Sequence, residues 1–183
     1  STKARACCYM KELAVPDSIV SVLDGMDFSD MSAESSIPDI SVAKDQTGFD
    51  ALNSVEGDRE TGNNCMRYIR ISPRDQTYIE RALGEIYPNY SVSMSGQFMY
   101  PEGGYMAWHT NSNAKGKRIY LNKSDEANKS FFRYSINGKK GTIWDSTEWS
   151  MKEFEINSDR LWHCVYAGKP RLSLGFRLIK NLR

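Results

Sequence analysis

Between residues 93 and 179, apolar and polar side chains alternate in short runs, the two-residue period of strands with one buried face. The runs are Ser93–Tyr100, Tyr105–Thr110, Lys117–Asn122, Ser130–Ile136, Gly141–Asp145, Ser150–Ile156, Arg160–Tyr166 and Arg171–Ile179. Asn137-Gly138, between two of them, is a pairing that favours a tight hairpin turn. Upstream the pattern changes. Pro16-Asp17-Ser18 followed by Ile19, Val20, Val22 and Leu23 predicts a short helix with proline near its first turn. Met66–Ile71 predicts a strand closed by Ser72, and Pro73-Arg74-Asp75 opens a helix through Tyr78, Ile79, Leu83 and Ile86 that ends before Pro88. The Ser- and Asp-rich stretch Asp27–Asp50, with a lone Pro38, predicts a long surface connection or a flexible lid. Strands downstream with helices only upstream predict a mainly β fold with N-terminal helices, an antiparallel sandwich or jelly roll. The expected division is a helical and loop part over about residues 1–92 and a jelly-roll core over about 93–180, within one domain covering 1–183.

Composition narrows the function. The 183 residues are 40% apolar and 26% charged, enough for a core that buries roughly 70% of the unfolded chain's surface. With 24 basic and 23 acidic residues the formal charge is +1, which excludes a polybasic protein held to its partner by phosphate neutralisation. No apolar run approaches the ~20 residues of a membrane helix, so no bilayer span is expected. The chain has no signal-peptide pattern, which predicts a cytoplasmic protein, and its missing initiator Met suggests a processed or trimmed chain. Cys7, Cys8, Cys65 and Cys164 fit no zinc spacing and are expected to be idle or buried thiols.

Two histidines are present, His109 and His163, each in a strand-like run. In an extended segment residues i and i+2 share a face, so His109 and Asn111 are expected to approach one point together. A third group from a distant strand, His163, would complete a facial three-ligand site of the kind used by non-haem Fe(II) oxygenases. Downstream, Arg171, Ser173, Gly175 and Arg177 share one face of a strand. A buried arginine there is costly unless an anion meets it, and a guanidinium grips a carboxylate through two parallel hydrogen bonds.

The segment from about Gln97 to Leu178 resembles the catalytic core of the Fe(II)- and 2-oxoglutarate-dependent oxygenases, especially the prolyl-hydroxylase-like branch. The matching features are Tyr100 followed by Pro-Glu-Gly-Gly and then His109, the run Tyr120-Leu121-Asn122, and His163 followed by Arg171-x-Ser173. The resemblance implies a double-stranded β-helix and a dioxygenase that uses Fe(II) and the cosubstrate 2-oxoglutarate to hydroxylate a small-molecule or peptide substrate whose identity it does not give. It implies that His109, Asn111 and His163 form the metal and catalytic set. It further implies that Arg171 and Ser173 hold the distal carboxylate of 2-oxoglutarate, with Tyr100 hydrogen-bonded to it. Arg177 is counted with them as a cofactor-binding residue, since it resembles the second arginine of the nucleic-acid dealkylase branch, and a surface arginine is the competing reading.

Asn111 departs from the pattern, because the family usually has Asp there. An amide oxygen still coordinates a cation, with less charge to offset, and an unbound amide opens a position that a halide fills in some relatives. A degenerated site with little turnover is the third outcome. Asn113, Asp125 and Glu126 lack the spacing to replace it. The alternatives to a hydroxylase are therefore a halogenase-like variant, a nucleic-acid dealkylase, or a jelly roll that binds a small anion without catalysis. Near-neutral charge disfavours nucleic acid. The aromatic set Tyr105, Trp108, Phe131, Phe132, Trp144 and Trp162 is expected in the core. Lys115, Lys117, Arg118, Lys139 and Lys140 are expected to form a solvated basic rim on turns.

Overall fold

The computed structural model describes residues 9–54, 63–111, 115–136, 138–156 and 161–182. Cys7, Cys8, Asn113, Asn137 and Arg160 lie outside the described residues. The described residues form, in chain order, β1 (Met10–Leu13), α1 (Asp17–Asp24), α2 (Ile40–Thr47), α3 (Phe49–Ser54), β2 (Asn64–Cys65), β3 (Arg67–Tyr68), α4 (Pro73–Ile86), β4 (Tyr90–Tyr100), β5 (Tyr105–His109), β6 (Gly116–Ser124), β7 (Ser130–Ile136), β8 (Lys139–Trp144), β9 (Ser150–Ile156), β10 (Trp162–Ala167) and β11 (Arg171–Lys180). They form two antiparallel sheets, one ordered β1-β9-β6-β11-β4-β3 and the other β2-β5-β10-β7-β8. This is the expected jelly-roll sandwich.

Local chemistry accounts for the helices. Ser72 caps α4 by accepting from the Asp75 amide at 3.1 Å, and Pro73 occupies the first turn, where its missing N–H is not needed. Asp39 caps α2, accepting from the amides of Ser41 and Val42. Helices α2 and α3 correct the expectation that Asp27–Asp50 is a connection or lid. Residues 27–39 remain a connection, whereas the C-terminal part of the stretch is helical, and α2 packs on β5 and β10. The predicted strand Met66–Ile71 shortens to β3 plus a single bridge between Ile69 and Met31.

The six-stranded sheet is buried on both faces, and alternation sorts its side chains. Ile119, Leu121, Met151, Leu174, Phe176 and Leu178 point outward and pack with Ile19 and Leu23 of α1 and Ile79 and Leu83 of α4. Their neighbours Arg118, Tyr120 and Asn122 on β6, and Arg171, Ser173, Gly175 and Arg177 on β11, therefore face the second sheet. The register places Arg177 opposite Arg118, Gly175 opposite Tyr120, and Ser173 opposite Asn122. On the far sheet, Ala43, Cys65 and Tyr105 form one outer cluster, and Trp108, Phe131 and Cys164 another. Cys65 and Cys164 are free, buried thiols, as expected. Of the aromatic set, Trp144 departs from the core and is half exposed. No described helix is long and apolar enough to cross a membrane.

Candidate functional site

A cavity of about 330 Å3 opens between the sheets, lined by His109, Asn111 and His163 on one side and by Tyr120, Ser173 and Gly175 on the other. His109 enters it through a β-bulge. His163 pairs with His109 and Val165 with Met106, so β5 spends three residues where β10 spends two. Simple alternation would put Met106 and His109 on opposite faces. The extra residue restores both to the inner face and leaves Trp108 outside, where its indole donates to the Gly48 carbonyl at 2.8 Å. The expected mechanism of i, i+2 alternation thus does not place this site. Asn111 lies beyond the end of β5 in the left-handed region, at φ 51°, which asparagine tolerates better than most residues. The structure nevertheless brings the three predicted residues together.

The two imidazoles face each other across the β5–β10 pair with ring centroids 4.0 Å apart. His109 Nδ1 contacts the Ala107 carbonyl at 2.8 Å, and His163 Nδ1 contacts the Leu161 carbonyl at 2.9 Å. A carbonyl only accepts, so both Nδ1 atoms carry the proton, and a neutral ring presents its Nε2 lone pair. His163 is neutral near pH 7, because burial, then the charge of His109, holds it well below the ordinary imidazole range. Phe132 stacks on the His163 ring at 5.5 Å and limits its rotation. Two ring nitrogens bound to one ion at about 2 Å stand about 3 Å apart, and this spacing of rings admits that. Asn111 Nδ2 stands 3.3 Å from His163 Nε2, so the amide donates to the lone pair that a cation would take. Turning the amide over presents Oδ1 to the same point. Among the described residues, no three His, Cys, Asp or Glu side chains cluster as a metal site.

Arg171 is buried, as expected, and already has a partner. Its Nε donates to Asp145, which is also fully buried. Lys152, equally buried, stands 3.8 Å from the other Asp145 oxygen and donates to Asn122 Oδ1 at 2.7 Å; Asn122 Nδ2 then donates to Ser173 Oγ at 2.9 Å. Burial drives the Lys152 pKa down to about 8, against the opposing pull of Asp145. Two cations thus share one carboxylate, and Arg171 Nη1 and Nη2 are buried with no hydrogen-bond partner. Tyr100, opposite Arg171 in the β4–β11 pair, lines the cavity, and burial raises its phenol above the usual range despite the nearby Arg171 charge. Asp145 and Lys152 were not singled out in the sequence. A polar residue in an otherwise apolar inward row, as at Lys152 before Phe154, was the available signal.

Arg177 is half-buried at the edge of the cavity, which it lines, and donates to the Lys115 carbonyl at 3.3 Å. Arg118 corrects the expected basic rim. It is buried on β6 and lines the cavity beside Tyr120, whereas Lys139 and Lys140 are exposed. In the Pro101–Gly104 turn, Gly103 has φ 81°, and a Cβ on Gly104 would stand 2.8 Å from the Cys65 carbonyl oxygen, so the turn admits only glycine there.

No protein-family model matches the chain, and no curated protein does. Among solved structures, a prolyl-4-hydroxylase from Pseudomonas putida superposes over 97% of this chain and 95% of its own, with a TM-score of 0.50 and 10% identity. The likeness is one of fold. It agrees with a jelly-roll β-sandwich and leaves the chemistry to the residues of the cavity.

Proposed function

We propose that the chain is an Fe(II)- and 2-oxoglutarate-dependent oxygenase. The observation that carries this reading is the pair of inward imidazoles, each with Nδ1 committed to a backbone carbonyl and Nε2 directed away from it, at the wall of a cavity. The orphaned Nη1 and Nη2 of Arg171 support it, since a buried fork without an anion is costly and a carboxylate satisfies both nitrogens. The donor set of two imidazoles and one amide suits a divalent first-row metal. His109 and His163 would hold it through Nε2 and Asn111 through Oδ1, while Arg171, Ser173 and Tyr100 would hold 2-oxoglutarate. When bound, iron and 2-oxoglutarate with dioxygen supply an oxidant able to break a substrate C–H bond.

The chain's own residues prepare that chemistry. The Ala107 and Leu161 carbonyls fix the tautomer and aim of the two rings, as outer partners of ligating histidines generally do. Asp145 orients the Arg171 guanidinium through Nε and leaves its two terminal nitrogens for a carboxylate. Lys152, through Asn122, turns the Ser173 hydroxyl to accept from the amide and leaves its own proton to donate. Phe98, Met106 and Val165 supply an apolar wall that limits water near the rings. Incubation with 2-oxoglutarate, Fe(II) and oxygen should release succinate in the wild type and none above background in His163→Ala. Succinate release independent of added iron, or equal in the two proteins, would overturn the reading. A protein that binds 2-oxoglutarate and never releases succinate would be the anion-binding jelly roll.

A further inference from the structure

Lys152 is fully buried in the inward row of β9, opposite Tyr120 of β6 and Glu12 of β1. The titratable and charged groups around it are Asp145 from the end of β8, Arg171 of β11, Glu12 and Tyr120. Glu12 is exposed to water, and Tyr120 is neutral because burial raises its phenol above the usual range. Among the described residues, Asp145 is therefore the one buried carboxylate facing two cations, and Arg171 Nε already donates to its Oδ2. The other oxygen, Oδ1, stands 3.8 Å from Lys152 Nζ, beyond hydrogen-bond reach, and has no hydrogen-bond partner. With Lys152 protonated the cluster holds one positive charge in excess, and the Nη1 and Nη2 of Arg171 are buried and unpartnered within it. Both features call for one more negative charge.

We infer that Lys152 is a positioning residue for the carboxylate held at Arg171, taking a proton from solvent as that anion binds, so that anion and proton enter the site together. The inference rests on the oxygenase reading for the identity of the anion, 2-oxoglutarate, and adds the proton that accompanies it. The hydrogen-bond chain does not need the ammonium charge. A neutral amine retains N–H bonds and still donates to Asn122 Oδ1, and Asn122 Nδ2 still donates to Ser173 Oγ. What deprotonation removes is the positive charge alone. In the empty site burial, then the Arg171 charge, outweighs the pull of Asp145 and brings the Lys152 pKa to about 8. A carboxylate on Arg171 adds a negative charge in the same poorly screened space and favours the ammonium form. Binding linkage is reciprocal, so protonated Lys152 must hold the carboxylate more tightly than the neutral amine does. Ser173 and Tyr100 line the cavity and neighbour Arg171 along β11 and across β4, which makes the cavity side the approach for the anion.

The test is titration calorimetry of the full chain in buffers of different ionisation enthalpy, which counts the protons taken up per anion bound. Glutarate titrated into the metal-free protein is the first probe, because it offers the carboxylate apart from any metal. 2-Oxoglutarate titrated into the Mn(II)-loaded protein is the second. Uptake should be near zero at about pH 6.5, about half a proton at about pH 8 and about 0.9 at about pH 9, as a pKa of about 8 in the empty site requires. Wild-type affinity should fall about tenfold between about pH 6.5 and about pH 9. Lys152→Met should take up no proton and show no such fall. Absence of uptake at about pH 9 with whichever anion binds the wild type overturns the proposal without any variant, so a misfolded Lys152→Met protein does not shelter it. Equal uptake in folded Lys152→Met assigns the proton to another group and overturns it too, as does failure of both anions to bind. Proton-linked glutarate binding to a protein that releases no succinate from 2-oxoglutarate supports the role of Lys152 and defeats the oxygenase reading instead.

Discussion

Replacing Lys152 with Met should remove a specific pH dependence from the stability of the fold. Lys152 is buried beside Asp145 and Arg171, and its pKa falls from 10.5 to about 8 on folding. Between these two values the unfolded chain holds the proton and the folded chain releases it, so stability rises with pH across that window. The whole shift corresponds to about 3 kcal/mol, and the part lying between about pH 7.5 and pH 10 to about 2 kcal/mol. Tyr100 and Tyr120 work in the other direction, because burial raises both phenols and their contribution is lost as pH climbs above 10. They are present in both proteins and cancel in the comparison. The Met variant also loses the hydrogen bond to Asn122 Oδ1, about 1–3 kcal/mol, which is independent of pH. Urea unfolding of both proteins at the two pH values isolates the lysine. Wild-type stability should gain about 2 kcal/mol more than that of Lys152→Met over the interval. Equal gains would mean that Lys152 does not carry a depressed pKa and that the buried trio is not strained toward a second anion.

Asn111→Asp should tighten Fe(II) binding and preserve or raise 2-oxoglutarate turnover, because a carboxylate places a full charge where the amide supplies a dipole; weaker binding in a metal titration would show that the neutral ligand is functional in its own right. Arg171→Ala should weaken 2-oxoglutarate by about 1.5–3 kcal/mol, the range for hydrogen bonds to charged groups, and should destabilise the fold by about 3–5 kcal/mol by breaking the buried pair with Asp145. Unchanged affinity in a folded variant would dismiss the anchor. Gly175→Ala would place a Cβ 3.0 Å from Tyr120 Cε1, so the ring must yield into the cavity. A cost of about 1–3 kcal/mol in thermal or urea unfolding is expected, and none would mean that the ring moves freely.

The strands were legible because one inward and one outward row alternate cleanly. Ser130–Ile136 and Ser150–Ile156 are β7 and β9 residue for residue, and the other six runs differ from their strands only at the ends. Helices α2 and α3 were hidden by serine and aspartate, whose capping role at Asp39 looks like loop composition until the hydrogen bonds are seen. The bulge at Ala107–Trp108 has no glycine to mark it, and it decides which way His109 points. Arg118 was misplaced because neighbouring lysines suggested a solvated surface, although its position between Ile119 and Lys117 on a strand buried on both faces points it inward. Lys152 meets Arg171 through the pairing of β9 with β6 and β6 with β11, and Asp145 reaches it from the end of β8 in the other sheet, long-range relations that local pattern does not contain.

The central claim is that His109 and His163 hold one divalent metal together with 2-oxoglutarate. Equilibrium dialysis of Mn(II) against the wild type, His109→Ala and His163→Ala, with and without 2-oxoglutarate, tests it most directly. The account predicts one ion per chain, bound at least tenfold tighter when 2-oxoglutarate is present, and lost in both alanine variants. Absence of stoichiometric metal, or metal retained in either variant at wild-type affinity, would contradict it.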